Sequence, residues 1–368
     1  MKLRFNREEM ADALALVAQV TAVRTPKEIL KCVRLEARPD VLLLAATDLE
    51  IGLRYAVTQI EVEKPGEVVV LADTLHRIVR ECADEVLSLD LRDSVLHLRG
   101  AGSHFKIVTQ AVTDFVPVPG LDEEPDLTVD LVLLRRMIEW TLFAAAREST
   151  RYAINGVLWE TTGERLLLAA TDGRRLSLAK GKVKVPKGRT IPHAIVPVKA
   201  LSLLGRMNAE PDSVALAKIT ANQLRLKVGG VVISTSLLEG HFPKYQDVIP
   251  SDSTRRVDLN TVDFHSALKR ASLLTNEESK GVRLAFSDGS LTLSSRAPEQ
   301  GEADITIPAD YRGESIDIGF NPVFLMDVVR VAHEDVIRFE FSEPNRPGVM
   351  KVGDDFIHVV MPVNLTSA

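Results

Sequence analysis

Apolar side chains recur every three to four residues just after Asn6, Asp130 and Asn260. Met10, Leu14 and Val17 make the first stripe, Leu134, Ile138 and Leu142 the second, and Phe264, Leu268 and Ala271 the third. That spacing sets each group on one face of a helix. The Asn or Asp ahead of it accepts hydrogen bonds from the free amides of the first helical turn. Glu9 and Asp263 stand three residues past their caps and predict a capping box. Strand-like runs follow each helix, at 41–46, 156–160, 166–170, 282–286 and 291–294. A second helix then recurs in each segment, after Val68-Val69-Val70-Leu71, Ala194-Ile195-Val196-Pro197 and Ile318-Gly319-Phe320-Asn321. Its apolar positions are Leu75, Ile78 and Val79, then Leu201, Leu204 and Met207, then Leu325, Val328 and Val329.

The same plan therefore occurs three times, and one string repeats outright. Leu-Leu-Leu-Ala-Ala-Thr-Asp begins at Leu42 and again at Leu166, 124 residues later. A period that long means a duplicated domain, because solenoid repeats run to roughly 20–50 residues. Phe115-Val116-Pro117 and Phe242-Pro243 close the first two copies. The segments 117–127 and 249–257 are rich in Pro, Asp, Glu and Ser, as linkers are. The predicted class is α+β, three tandem domains at 1–126, 127–253 and 254–368, each with two helices on antiparallel sheet.

Composition narrows this little. Hydrophobic residues make up 45% of the 368 and charged residues 26%, values of an ordinary globular protein. Cys32 and Cys82 form neither a metal-ligand spacing nor a disulfide framework, which suits a reducing cytoplasm. No apolar run nears the roughly 20 residues that span a bilayer, so no membrane partner is expected. The net charge of −6 excludes a chain coated in basic charge, so any nucleic-acid contact must use a local patch.

Cations do gather on the predicted helices. Arg77 and Arg80 lie on one, Arg135, Arg136 and Arg147 on or just after the next, and Lys199 and Arg206 on a third. Lys269, Arg270 and Arg330 mark the third copy. A basic lining of this kind would hold phosphates weakly and without sequence preference. Aromatic residues, 5% of the chain, are too few to favour base stacking on single strands.

Catalytic chemistry is hard to assemble. Thr47-Asp48 and Thr171-Asp172-Gly173 put a hydroxyl beside a carboxylate, but at a strand end the same residues make a turn. A hydrolase built on Asp172 and Arg174 would lack a base or a metal ligand. The eight histidines form no His-x-x-x-His or His-x-His pair. No phosphate-cradling glycine motif and no nucleophile elbow occurs. No catalytic residue, metal or cofactor is expected.

Several strings now make sense together: Arg24-Thr25-Pro26; Thr47-Asp48-Leu49-Glu50; Arg151-Tyr152-Ala153-Ile154-Asn155-Gly156; Ala170-Thr171-Asp172-Gly173-Arg174-Arg175-Leu176; Phe242-Pro243-Lys244-Tyr245; Asn276-Glu277; Ile318-Gly319-Phe320-Asn321; and Val359-Val360-Met361-Pro362. In this order, over essentially the whole length, the chain resembles the bacterial DNA polymerase III beta subunit family, the sliding clamps. The resemblance implies a non-enzymatic processivity factor. Each chain would be half of a ring, closed head to tail by a second copy, with duplex DNA held topologically in the hole. Cations at Arg24, Arg77, Arg80, Arg136, Arg147, Lys199, Arg206 and Lys269 would face the DNA. Phe105, Leu273 and Leu274 match positions at the dimer interface, where the plain alternative is core burial.

The resemblance also implies a pocket between the second and third domains for peptides of the polymerase alpha subunit, the clamp-loader delta subunit, and other polymerases and repair proteins. The matching positions are Arg151, Ile154, Thr171, Gly173, Arg174, Arg175, Leu176, Pro243, Val248, Asn321, Phe324, Val359, Val360, Met361, Pro362 and Val363. The set is largely apolar with a polar rim, as a groove for Leu and Phe side chains should be. Asp247 stands where family members often have a basic residue, Ala153 where an aromatic is common, and the tail after Pro362 is altered. A rival reading is a repeat-built peptide-binding scaffold that does not encircle DNA.

Overall fold

The computed structural model describes residues 1–22, 24–147, 153–207, 210, 212–275, 281–298 and 300–365. Arg151, Asn276-Glu277 and the end Thr366-Ser367-Ala368 lie outside the described residues. The helices are α1 (Arg7–Ala18), α2 (Ala72–Glu81), α3 (Leu131–Leu142), α4 (Val198–Leu204), α5 (Thr261–Ala271) and α6 (Pro322–Ala332). Each expected cap forms. The side-chain oxygens of Asn6, Asp130 and Asn260 accept from the amides of Glu9, Leu133 and Asp263 at 3.1, 2.8 and 3.0 Å. The capping box in the first copy does not close. Glu9 turns its carboxylate to the amides of Thr58 and Gln59 at 3.1 and 2.9 Å, because the chain returning there offers two unpaired donors.

The chain folds into two compact units that do not coincide with the three copies. The first takes residues 1–134 and 183–238, and the second takes 135–182 and 239–368. In the first unit, strands 60–64, 2–6, 86–92, 95–99 and 104–108 lie side by side in that order. A second sheet of eight strands runs 127–130, 214–219, 223–228, 231–236, 51–57, 41–47, 32–38 and 66–71. Its middle is a seam between copies, where Ile233 pairs with Leu53 and Ser234 with Gly52. α1 packs on α2 above it, with Met10, Leu14, Val17, Leu75 and Val79 fully buried.

The second unit repeats the arrangement. Strands 156–162, 165–171, 175–182, 356–360, 348–352, 336–341 and 255–260 follow one another. Leu176 pairs with Val359 and Leu178 with Ile357 at the seam. A four-stranded sheet runs 301–308, 290–297, 282–287 and 316–320. α5 packs on α6. Trp140 of α3 donates to the Val331 carbonyl at 2.9 Å and stacks on Phe356 at 5.0 Å between ring centroids. Pairing across copies is what makes the units cut through the second copy.

The acidic segment 117–127 is anchored rather than loose. Asp126 is buried and accepts from the Ile219 amide at 2.8 Å, Arg189 at 2.8 Å and Lys218 at 3.2 Å. Arg225 reaches the Gly120 carbonyl at 3.3 Å and Glu123 at 3.2 Å. Its charges are the fastening, since a buried carboxylate needs donors to replace its water.

The repeated string ends in the same turn twice. Thr47 donates to the Ile51 carbonyl at 2.8 Å, and Thr171 to that of Arg175 at 2.6 Å. Asp48 accepts from the amides of Glu50 and Ile51, and Asp172 from those of Arg174 and Arg175. The third turn residue is Gly173 at φ 86° in one copy and Leu49 at φ 82° in the other. A side chain in that left-handed region costs roughly 1–2 kcal/mol. We expect Leu49→Gly to stabilise the protein by up to about 1 kcal/mol and Gly173→Ala to destabilise it by about 1 kcal/mol. Urea titration of both variants checks this, and two shifts of the same sign would refute the matched-turn account.

Candidate functional site

The site lies at the seam of the second unit. The turn after strand 165–171 brings Gly173 and Arg174 to the surface, keeps Thr171 buried and sends Leu176 inward. Pairing with strand 356–360 lays Val359 beside Leu176, both 2% exposed. The Met361 amide donates to the Arg174 carbonyl at 3.0 Å, which holds the chain after the last strand against the turn. Pro243 ends one wall, and a 3-10 turn, Tyr245–Val248, carries Val248 to the rim. These elements enclose a cavity of about 210 Å³ lined by Ile154, Thr171, Gly173, Arg174, Arg175, Leu176, Pro243, Lys244, Tyr245, Val248, Val359 and Met361. Val248 and Met361 stay 46% and 42% exposed, large apolar groups left open to solvent.

Arg175 is the fastening of this wall. Its guanidinium bonds Asp172 at 3.1 Å, Asp327 of α6 at 2.7 Å and the Phe143 carbonyl at 2.6 Å. It also lies over the rings of Phe324, at 4.4 Å, and Phe143, at 5.4 Å. A planar fork that is always charged can serve all these partners at once, whereas an ammonium cannot. Tyr245 supports the opposite wall through a 2.5 Å hydrogen bond to Glu160. Burial first, then that carboxylate, raises the Tyr245 phenol well above its usual range.

Not every expected residue reaches the cavity. Val360 is fully buried, because it alternates with Val359 to the other face of the strand. Asn321 caps α6 through the Val323 amide at 3.0 Å. Phe324 stacks beneath Arg175. Pro362 and Val363 line a neighbouring cavity of about 590 Å³ with Arg283, Asp317, Gly319, Asn345 and Leu365. The Val363 amide donates to the Gly319 carbonyl at 2.9 Å. A Cβ on Gly319 would come within 2.6 Å of Leu365, so only glycine lets the tail lie there. Lys244 and Tyr245 are lining residues that sequence reasoning missed, although they sit inside the Phe242-Pro243-Lys244-Tyr245 string.

The equivalent place in the first unit is filled. Gly52 stands where the second unit has Leu176, opposite Ser234 rather than Val359. A Cβ on Gly52 would lie 2.7 Å from a Val118 methyl and 2.7 Å from the Ser234 hydroxyl. Val118 thus occupies that seam.

The remaining expected residues are all surface groups. Phe105 is 37% exposed and Leu273 is 73% exposed, which excludes plain core burial for both, and Leu274 is half-buried. Arg24, Arg77, Arg80, Arg136, Arg147, Lys199, Arg206 and Lys269 are exposed. Several have local partners: Arg77 pairs with Asp73 at 3.0 Å, Arg80 with Glu81 at 2.8 Å, Lys199 with Asp48, and Arg206 bonds Gln19 at 2.7 Å. Arg136 lies over the Trp140 ring. Among the described residues no group of three or more His, Cys, Asp or Glu is placed to hold a metal ion. No helix among them is long and apolar enough to cross a membrane.

Tandem copies that share sheets, with an apolar cavity at one seam, define a repeat-built binding protein. Three family models match consecutive segments: the N-terminal, central and C-terminal domains of the DNA polymerase III beta subunit, at residues 1–119, 128–244 and 246–364. The beta sliding clamp of Pseudomonas aeruginosa is 32% identical over 372 residues, covering 99% of this chain and 100% of that one. The beta sliding clamp of Escherichia coli is 29% identical over 370 residues, with the same coverage. A crystal structure of the Pseudomonas aeruginosa DNA polymerase III beta subunit superposes with a TM-score of 0.91 at 31% identity, covering 99% of this chain and 100% of that one. The chain belongs to the DNA polymerase III beta subunit family, the bacterial sliding clamps. It is a non-catalytic processivity factor made of three tandem clamp domains.

Behind the cavity, His358 is fully buried and shares a 2.7 Å hydrogen bond with Ser177. Burial, then the nearby Arg175 charge, pushes its pKa down to about 3. The unfolded chain binds a proton there below about pH 6.5, and the folded one does not until about pH 3. Stability should therefore fall as pH drops through that window, by up to about 1.4 kcal/mol per pH unit from this group. Urea unfolding at stepped pH should give a shallower acid slope for His358→Gln than for the natural chain. Equal slopes would mean that His358 is not held neutral.

Proposed function

We propose that two chains close head to tail into a ring around duplex DNA, and that the cavity beside Leu176 and Val359 receives extended peptides from partner proteins. The domains of each chain run 1–126, 127–253 and 254–368. The carrying observation is the apolar cavity at the second seam, ringed by exposed Val248 and Met361. Apolar clefts with a few polar rim groups suit Leu and Phe anchors. Arg174 on one wall, and Lys244 and Asp247 at the 3-10 turn of the other, supply that rim. The partners are the polymerase alpha subunit, the clamp-loader delta subunit, and other polymerases and repair proteins with clamp-binding peptides. A cytoplasmic location fits two cysteines that are both free and buried.

Assembly is supported by two sheet edges. Strand 104–108 ends the five-stranded sheet of the first unit, and strand 301–308 ends the four-stranded sheet of the second. An unpaired edge is a template for another chain. Phe105 and Val108 lie exposed on the first edge, and Leu273 lies exposed near the second. A contact between two different surfaces closes into a ring when the rotation fits. The scaffold reading, without DNA in the hole, is separated by reversing Arg24, Arg147 and Lys269, which have no ion pair among the described residues, and measuring retention on circular DNA.

The peptide site is tested by titrating a partner peptide. Met361→Ala combined with removal of the chain from Val363 onward should weaken binding at least about tenfold, the loss of roughly 1.4 kcal/mol. The dimer should survive. Asp247→Arg should reorder which peptides bind best, with less effect on affinity, as rim charges do. Unchanged affinity in the truncated variant would move the site elsewhere. For assembly, replacing Leu273 and Leu274 by charged residues should give folded monomers in sedimentation, and a persistent dimer would overturn the interface.

A further inference from the structure

The two free edges differ in chemistry. On strands 95–99 and 104–108, Leu96, Leu98 and Ile107 turn to the core, while His97, Arg99, His104 and Lys106 turn outward. His97 stands opposite Lys106 and Arg99 opposite His104. The two imidazoles meet at 2.9 Å between His97 Nδ1 and His104 Nε2, with stacked rings. On the next strand Arg92 adds a cation, and the acid there, Asp90, is bound to it at 2.6 Å. Partial loss of water, then the charges of Arg99, His97, Lys106 and Arg92, hold the His104 imidazolium below its ordinary range. This patch is basic on a chain whose net charge is −6.

The other edge is acidic. On strand 301–308, Ile305 and Ile307 turn inward, while Glu302, Asp304 and Thr306 turn outward. Glu302 is matched by Arg296 at 3.2 Å, and Asp304 has no ion pair among the described residues. Leu274 lies 3.9 Å from where a Cβ on Gly301 would be, so half-buried Leu274 and its exposed neighbour Leu273 flank this strand. If the strands pair edge to edge with their core faces aligned, Phe105 meets the leucines. His104 and Lys106 then lie along Glu302 and Asp304 of the partner subunit.

Resting on the assembly reading above, we infer that closing the ring takes up a proton at the His97–His104 pair, so that the dimer tightens as pH falls. In the free chain the imidazole faces only cations and a neutralised acid. In the ring it gains carboxylates, which favour its charged form. A singly protonated pair keeps its hydrogen bond, with imidazolium donating to imidazole. The dimer then binds more protons than two separate chains, and linkage makes association stronger at lower pH.

The test is the dimer Kd of the full chain by sedimentation, at about pH 8 and about pH 5.8, either side of an ordinary imidazole. The natural chain should tighten by up to about tenfold. His104→Gln and Asp304→Asn should each flatten the dependence while leaving a dimer. Dilution calorimetry in two buffers of different ionisation heat should show proton release on dissociation. A Kd that is constant or weaker at low pH, or the same slope in His104→Gln, would overturn the proposal while the ring stands. A chain monomeric under every condition would remove the ring and this coupling with it.

Discussion

Main-chain hydrogen bonds between strand Arg175–Lys182 and strand Phe356–Val360 turn two copies of the repeat into one sheet. Everything at the site hangs on that register. The side-chain period of a strand is two, so a slip of one residue would send Leu176 and Val359 to the opposite face. The cavity would then lose its floor, and Val360 would take the place of Val359. Arg175 guards the register. Its contacts to Asp172, Asp327 and the Phe143 carbonyl tie the turn to α6 and to the end of α3. A partly buried guanidinium is costly unless its donors are used, and here the groups that use them belong to different elements.

The two seams show how duplication acquires a site at one place only. Backbone geometry is nearly the same in both: the same Thr-Asp turn, the same strand entering a sheet shared with the next copy. The difference is a handful of side chains. Leu176 and Val359 leave a gap between themselves and Val248, whereas Gly52 and Ser234 let Val118 close in. The segment bringing Val118 is fixed a few residues later by the Asp126 and Glu123 ion pairs. Close packing leaves few voids larger than a water molecule, so an open apolar cleft flanked by exposed Val248 and Met361 is the exception that needs an occupant.

Much of this was legible from the chain alone. Helix positions followed from three apolar stripes and their Asn or Asp caps, which are local signals. The turn reading of Thr47-Asp48 and Thr171-Asp172 was also local, and the hydrogen bonds agree with it. Long-range pairing was not legible. Nothing in the order of residues says that strand 51–57 pairs with strand 231–236, so the units cut across the repeat unannounced. For the same reason Glu9 looked like a capping-box partner, though the chain at Thr58 and Gln59 claims it. At the cavity, family resemblance located most of the lining. Which of two neighbouring residues faces it depends on strand parity, and that is how Val360 came to lie outside, whereas Pro362 follows the end of the strand and lines the neighbouring cavity.

Charge presents the last constraint. A ring that held DNA by strong phosphate contacts would resist sliding, because each neutralised phosphate adds to affinity and to its salt dependence. Some of the exposed cations expected to face DNA are tempered at source. Asp73 stands beside Arg77, Glu81 beside Arg80 and Asp48 beside Lys199. Exposed pairs such as Arg77–Asp73 and Arg80–Glu81 contribute little to stability, so folding does not explain them well. Under the proposed ring they have a plainer consequence. They lower the net field near the helices without removing the donors, and the hold on DNA passes from electrostatics to closure of the ring. Closure then rests on two sheet edges of opposite charge, where each added attraction bears on the lifetime of the tether.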